Sequence, residues 1–274
     1  LMFVNAEIAD KAFSPDILDE MAQENKLTTE YGKLIASAQI PFEGGVYTLS
    51  QLSPFKNDPD DARAVVEAVD ELYAGRIKNA FCGVRPPGHH AARAEARGFC
   101  YLNNVAIGAY WAMRRHGARR VAIVDFDAHH GDEEIVANHP DIRFMSLFQW
   151  PLYPHRMMEP TPRNVVVSPV AAGADGAVFT DILENVWLPQ LEAFRPDIIF
   201  VSAGFDAHVE EQMAQLKGKE LDYARITRRL LDAADVLCEG RLVSVLEGGY
   251  AVRSLARSVM AHLNMLVMRG RTAR

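Results

Sequence analysis

Four short apolar runs, each breaking off into glycine, histidine or acid, most constrain what this chain can fold into. Asn79 to Val84 (NAFCGV) leads into RPPGHH, and Val121 to Val124 leads into DFDAHHGD. Ile198 to Ala203 (IIFVSA) leads into GFDAH, and Leu242 to Leu246 leads into EGGY. Runs without a polar side belong to strands covered on both faces, the situation of a parallel sheet. Helical patterns lie between them. Ala62, Val65, Val66, Val69, Leu72 and Tyr73 recur at helical spacing, with charged residues on the opposite face. Asn103 or Asn104 suits the cap of a helix running through Met113. Phe179, Ile182, Leu183, Val186 and Trp187 mark a helix ending near Pro189, and Tyr223, Ile226, Leu230 and Leu237 mark another. This alternation predicts an α/β fold, a three-layer αβα arrangement with a mostly parallel central sheet. In such sheets ligands gather beyond the carboxyl ends of the strands, where all four polar clusters fall.

The 274 residues are read as a single domain, 1–274, because α/β folds reach this length with one extended core. A formal charge of -7 argues against a nucleic-acid partner. The basic tail Arg269, Arg271 and Arg274 reads as a solvated terminus. Three cysteines, Cys82, Cys100 and Cys238, show no CxxC spacing, which suits a reducing compartment and leads us to expect a cytoplasmic protein. The first residues lack the basic start and apolar run of a secretion signal, and nothing approaches the run of about 20 apolar residues that crosses a membrane. Oligomeric state is left open. Residues 1–58 offer a turn signal at Phe42 to Val46 and a helical pattern at Ile17 to Met21, with no chemistry attached. Residues 154–164 contain three prolines and read as a rim loop.

On an extended backbone Asp125, Asp127 and His129 share one face while Phe126 and Ala128 pack. Buried carboxylates and imidazoles need a partner or a cation, and metal ligation resolves the cluster. Catalytic zinc takes three ligands from His, Asp or Glu and keeps an open position. Asp127 and His129 supply two; Asp206 is the best-placed third, with a loop aspartate capping a helix or turn as its lesser alternative. His89 and His90 follow the rigid Pro86-Pro87-Gly88 and read equally as a solvated loop pair or a functional one; in the second case Asp125 and Asp132 are each able to orient one imidazole, making a His–Asp general base. Gly248-Gly249 lets the backbone turn and present the Tyr250 hydroxyl, a donor suited to a developing oxyanion. Gly98-Phe99-Cys100 and Tyr153-Pro154 line an approach or simply pack. Cys100 reads as a small buried residue and not a nucleophile. His208 is either near the metal or a loop residue. His116, His139, His155 and His262 have no ligand-like spacing.

With RPPGHH, GFCYLNN, VDFDAHHGD, SAGFDAH and LEGGY in this order over roughly residues 79–255, the sequence resembles the zinc-dependent histone deacetylase family, including the bacterial acetylpolyamine amidohydrolases. The resemblance implies an arginase/deacetylase-like fold with Asp127, His129 and Asp206 on Zn2+. It makes His90 the general base, His89 its electrostatic partner, and Asp125 and Asp132 the carboxylate supports of His89 and His90. Tyr250 would donate to the amide oxygen. A K+ ion would be held by Asp125, the Ser146 hydroxyl and the main chain of Asp127, His129 and Leu147. Phe99 and Tyr153 match the walls of an acyl-lysine tunnel, with Gly98 and Gly249 beside them. Fe2+ suits the same donors as Zn2+.

The implied function is removal of acetyl or short acyl groups from lysine-type or polyamine-type amines. Two other readings are a two-manganese ureohydrolase-like enzyme and a non-catalytic acyl-lysine binder. Gly204 stands where the ureohydrolases carry the first Asp of a DxD pair, which favours one metal. The chain departs from the family's pattern at Asp132-Glu133-Glu134 in place of NGT, a residue shorter, and at His155-Arg156-Met157-Met158 in place of a Gly-Thr-Gly rim. The family's amino-terminal HPE segment is not recognisable in residues 1–58.

Overall fold

A computed structural model describes residues 40–42, 45–47, 62–131 and 133–272, with side chains described over 62–131 and 133–269. The helical pattern at 17–21 and Asp132 lie outside the described residues. The chain divides into two compact units, 1–57 and 58–274. In the first, β1 (Ile40–Phe42) and β2 (Gly45–Tyr47) form an antiparallel hairpin with Phe42 opposite Gly45, at the turn signal seen in the sequence.

The second unit is built on six parallel strands: β3 (Asn79–Cys82), β4 (Val121–Asp125), β5 (Ile142–Gln149), β6 (Val165–Val170), β7 (Ile198–Ala203) and β8 (Leu242–Leu246). Their order is β3-β8-β7-β4-β5-β6, every neighbouring pair parallel. Side chains of period two divide between two cores. Val121, Ile123, Ile198, Phe200, Val243 and Val245 pack with Val65, Val69, Leu72, Val105 and Ala109, from helices α1 (Ala62–Tyr73) and α2 (Asn104–His116). Ala122, Val124, Met145, Leu147, Ile199 and Val201 face the other way. They meet α3 (Gly176–Ile182), α4 (Leu188–Phe194), α5 (Glu220–Cys238) and α6 (Val252–Thr272). This is the expected α/β layering, and the four apolar runs are four of its strands.

The differences from the sequence reading have local causes. β5 and β6 went unrecognised because Arg143, Ser146 and Gln149 interrupt the first and Pro169 the second. Arg143 reaches out over the Phe194 ring, 5.3 Å from its centroid, and Pro169 is tolerated because β6 is the sheet edge. α2 continues past Met113 to His116, where Gly117 at φ 71° takes the left-handed turn and donates to the Ala112 and Met113 carbonyls. Its other end is capped by Asn103, whose side chain accepts from the Ala106 N–H. The helix over Phe179 does not stop near Pro189. A π turn at Leu183–Trp187 shifts the hydrogen-bond register, so Pro189 falls in the first turn of α4, where its missing N–H costs no bond. α6 was missed because Ser254, Ser258 and His262 lie on its buried side and dilute the apolar stripe.

His262 joins α6 to the sheet and to α5. Its Nδ1 is 2.6 Å from Thr227 Oγ1 and its Nε2 is 2.9 Å from Ser244 Oγ. Because the Thr227 hydroxyl donates to the Tyr223 carbonyl, Nδ1 donates to Thr227 and Nε2 accepts from Ser244. Burial holds this imidazole neutral, down to about 3. Unfolded, the same group titrates near 6.5, so the unfolded chain binds the extra proton first and stability falls as pH drops from there toward 3. Urea unfolding at pH 7.5 and 5.5 should show a loss of about 1.4 kcal/mol from this group. His262→Gln should flatten that part of the pH dependence; an unchanged slope would reject the assignment.

Candidate active site

The carboxyl ends of β3, β4, β7 and β8 meet in one place. β4 ends at Asp125, paired in register with Ser146 on β5 and Ser202 on β7. Beyond it the chain does not stay extended as the alternation argument supposed. Asp125 Oδ1 accepts the N–H of Asp127 at 3.0 Å, and Asp127 Oδ1 accepts that of His129 at 2.8 Å, two successive side-chain-to-backbone turns. These turns bring the side chains together as surely as strand alternation would have done. Asp206, just after β7, uses Oδ1 to accept the Ala128 N–H at 2.9 Å and so fixes the same segment from the neighbouring strand end.

Asp127, His129 and Asp206 each offer a ligand atom, all within 4.8 Å of one another, and no other such group occurs among the described residues. His129 Nδ1 lies 2.8 Å from Asp206 Oδ2 and 3.1 Å from Asp127 Oδ1. Burial and the charge of Asp127 raise Asp206 to about 6. Burial opposes a charge on His129, but its hydrogen bonds to Asp127 and Asp206 outweigh it and lift the ring to about 10. Two buried carboxylates facing one imidazole form a donor set with surplus negative charge, which a divalent cation of N/O preference fits. Two glycines make the room. A Cβ at Gly204 would stand 2.1 Å from Asp127 Oδ2, and one at Gly248 would stand 2.3 Å from Asp206 Oδ2. The Gly248 N–H also donates to Asp127 Oδ2 at 2.7 Å.

His89 and His90 close one side. His89 Nδ1 meets Asp125 Oδ2 at 2.9 Å, and its Nε2 is 3.8 Å from Asp127 Oδ2. Burial disfavours its charge, yet Asp127 and Asp125 hold its pKa well above the usual imidazole range. The His90 ring lies tilted 4.0 Å from that of His89 and edge-on to Tyr153 at 5.0 Å and His129 at 6.1 Å. Burial, then the charge of His89, pushes it down to about 2, so it is a neutral imidazole. Gly98, at φ 51°, permits this packing, since a Cβ there would lie 2.3 Å from His90 Cδ2.

The other sequence-singled residues fall as follows. Phe99 is exposed and meets the Tyr250 ring edge-on at 5.9 Å, and Tyr153 is 38% exposed, so both stand at the opening. Gly249 at φ 127° turns the chain toward Tyr250, whose phenol is pushed above its ordinary pKa by burial and by Asp127 and Asp206. Ser146 is adjacent to Asp125 by register, its Oγ 3.1 Å from His130 Nδ1, while Leu147 packs in the core. Cys100 is buried, its thiol raised to about 12 by burial, in keeping with a packing role. His208 is not in the cluster: its Nδ1 accepts the Glu210 N–H and its Nε2 is 3.4 Å from Glu220.

Two features escaped the sequence reading. Glu211 Oε2 accepts the N–H groups of Tyr250 and Ala251 at 2.8 and 2.9 Å, capping the approach to α6 and fixing the tyrosine backbone. An acid in the loop after GFDAH gave no local signal, since its partners are on a distant strand end. His130 stacks on Phe148 at 4.1 Å and meets Glu133 Oε2 at 3.1 Å through Nε2, and Glu133 also accepts the Met158 N–H. That link ties the rim loop to the turn after β4, beside a cavity of about 320 Å³ lined by His90, Tyr153, Arg97, Arg156 and Met157.

Known proteins share both sequence and fold with this arrangement. Residues 19–266 match the histone deacetylase domain, a match that begins within the segment where no family motif was recognisable. An uncharacterized protein of Synechocystis is 37% identical over 262 residues, covering 92% of this chain and 82% of that protein. The polyamine deacetylase HDAC10 of Homo sapiens is 35% identical over 224 residues, 75% of this chain and 32% of the human protein. The HDA15 HD domain superposes with a TM-score of 0.69 at 32% identity, covering 76% of this chain and 62% of that one. The chain belongs to the histone deacetylase family, and its sheet and helices are those of the arginase/deacetylase fold. It spans less than two thirds of several other curated relatives, down to 17%.

Gly204 and Gly248 give a direct test of the donor cluster. Gly204→Ala should displace the Asp127 carboxylate and weaken divalent-metal binding at least tenfold, on the scale seen when groups supporting a ligand are altered. Metal titration of the folded variant measures it; wild-type affinity would show that Asp127 is not a ligand.

Proposed function

We propose that this domain is a mononuclear amidohydrolase that removes acetyl or another short acyl group from a primary amine of lysine or polyamine type. Zinc, or ferrous iron on the same donors, would be held by Asp127, His129 and Asp206. The observation that carries the reading is a neutral His90 beside three buried ligand groups, with Tyr250 opening onto the same strand ends. The metal's contribution there is Lewis acidity, polarising the acyl carbonyl and lowering the pKa of water toward about 7.

The chain's own residues do the rest. His90, kept unprotonated, takes the proton of the attacking water and returns it to the leaving amine. His89, held charged by Asp127 and Asp125, stabilises the negative charge that develops; Asp132, outside the described residues, is assigned the part of carboxylate support to His90. The Tyr250 hydroxyl donates to the oxyanion. Phe99, Gly98, Tyr153 and Gly249 form the channel for the amine's aliphatic arm. A K+ ion is assigned to Asp125, Ser146, Leu147 and the main chain of Asp127 and His129, with a structural role. Gly204 supports one metal over the two-manganese reading, since any side chain there would occupy the space of Asp127. The substrate is proposed to be a small acylated amine or acetyl-lysine, with no nucleic acid or membrane involved, in the cytoplasm. Three buried free cysteines agree with that compartment.

Turnover of acetylated polyamines and acetyl-lysine peptides, with metal quantified in the same sample, tests the proposal. Release should be abolished by chelator at about one metal per chain. Two manganese per chain, or no chelator-sensitive release from any substrate, would reject it. Tyr250→Phe should lower kcat about 10²–10³-fold with metal content unchanged. Full activity in that variant removes the tyrosine from the mechanism.

A further inference from the structure

RPPGHH and EGGY each contain one charged residue that the proposed chemistry does not use, and the structure sets each against the other's loop. β3 and β8 are neighbours, Cys82 pairing with Val245, so the two chains leave the sheet side by side. Arg85 donates from Nη1 to the carbonyl oxygen of Glu247 at 2.9 Å and from Nη2 to that of Gly249 at 3.0 Å. In return Glu247 Oε2 accepts the N–H of Gly88 at 2.7 Å and of His89 at 3.0 Å. Glu247 Oε1 takes the Ser202 hydroxyl at 3.2 Å, anchoring the pair to β7. The Glu247 side chain is wholly buried, where a carboxyl is retained only if its oxygens are hydrogen-bonded. The Arg85 guanidinium also lies 5.9 Å from the centroid of the Tyr250 ring.

We propose that Arg85 and Glu247 are positioning residues that lock the loop carrying His90 to the loop carrying Tyr250. Their reciprocal hydrogen bonds fix the separation between the proton acceptor and the oxyanion donor on opposite sides of the acyl carbon. Neither residue has a part in the proposed chemistry itself. The metal donors come from the ends of β4 and β7, outside the clamp, although Gly248, between its two anchored residues, donates to Asp127. Loosening the clamp therefore changes the geometry between acid and base more than it changes the metal donor set. The kinetic half of this inference rests on the deacetylase reading above; the structural half does not.

The test uses the metal-loaded protein with Arg85→Met, Glu247→Ala, and the conservative Arg85→Lys and Glu247→Gln. In the first two, kcat per bound metal should fall on the order of 10²-fold, with KM changed by less than roughly threefold. Lys at 85 and Gln at 247, which keep one donor and one acceptor, should restore part of the loss. Arg85→Met combined with Glu247→Ala should be no worse than the worse single variant, because both break one device. Amide hydrogen exchange at Gly88 and His89 should quicken in Glu247→Ala. If that variant does not fold, Arg85→Met carries the test alone. Wild-type kcat in the folded variants, or a loss that follows metal content, overturns the proposal. A wild-type protein inactive on every acylated amine would overturn the deacetylase reading instead. The clamp would then be judged by exchange, and unchanged protection at Gly88 and His89 would reject it.

Discussion

Asp127 and Asp206 face each other across one imidazole with no access to water, and the rest of the site is arranged around the cost of that. Two like charges so placed repel and lose their hydration together, so the fold has to supply hydrogen bonds and compensating charge. Backbone N–H groups of Ala128, His129 and Gly248 meet three of the carboxylate oxygens, and the rings of His129 and His89 bring positive charge. These donors come from the segments after β4, β8 and β3, and Asp206 from the segment after β7, which is why four strand ends have to converge. Glycine at 204 and 248 follows from the same demand, since the carboxylates occupy the volume a side chain would need.

A neutral His90 follows from burial together with this charge arrangement. His89 sits against Asp125 and Asp127 and takes the proton that the local field favours. Its positive ring, 4.0 Å away, then disfavours a second proton on His90. Adjacent imidazoles in one motif are thus driven into opposite states by their neighbours, the pattern by which paired titratable groups acquire separate jobs. Tyr250 is placed by other means, its backbone held by Glu211 from a loop far along the chain.

What the sequence made legible was local and what it hid was distant. Apolar runs ending in polar clusters named four of the six parallel strands, and Asp127, His129 and Asp206 stood out because buried strand ends rarely carry such groups. β5 escaped because its polar residues, Ser146 beside Asp125 and Gln149 bonded to Gln215 in the loop after β7, break its apolar pattern. Glu211, Arg85 and Glu247 are recognisable only through partners on other strand ends, for which spacing along the chain gives no measure. Pro189 was misleading in the opposite sense, a strong local stop signal that one π turn sets aside.

The tie between Glu133 and the rim loop runs to the main-chain N–H of Met158 and not to its side chain. A backbone anchor does not depend on the side chain at 158, so Met157 and Met158 can be exchanged for other residues with a main-chain N–H without unfastening this tie. The opening is therefore free to drift in sequence while the centre beneath it stays fixed. What is admitted through this one wall can then change while the strand-end chemistry below it stays the same.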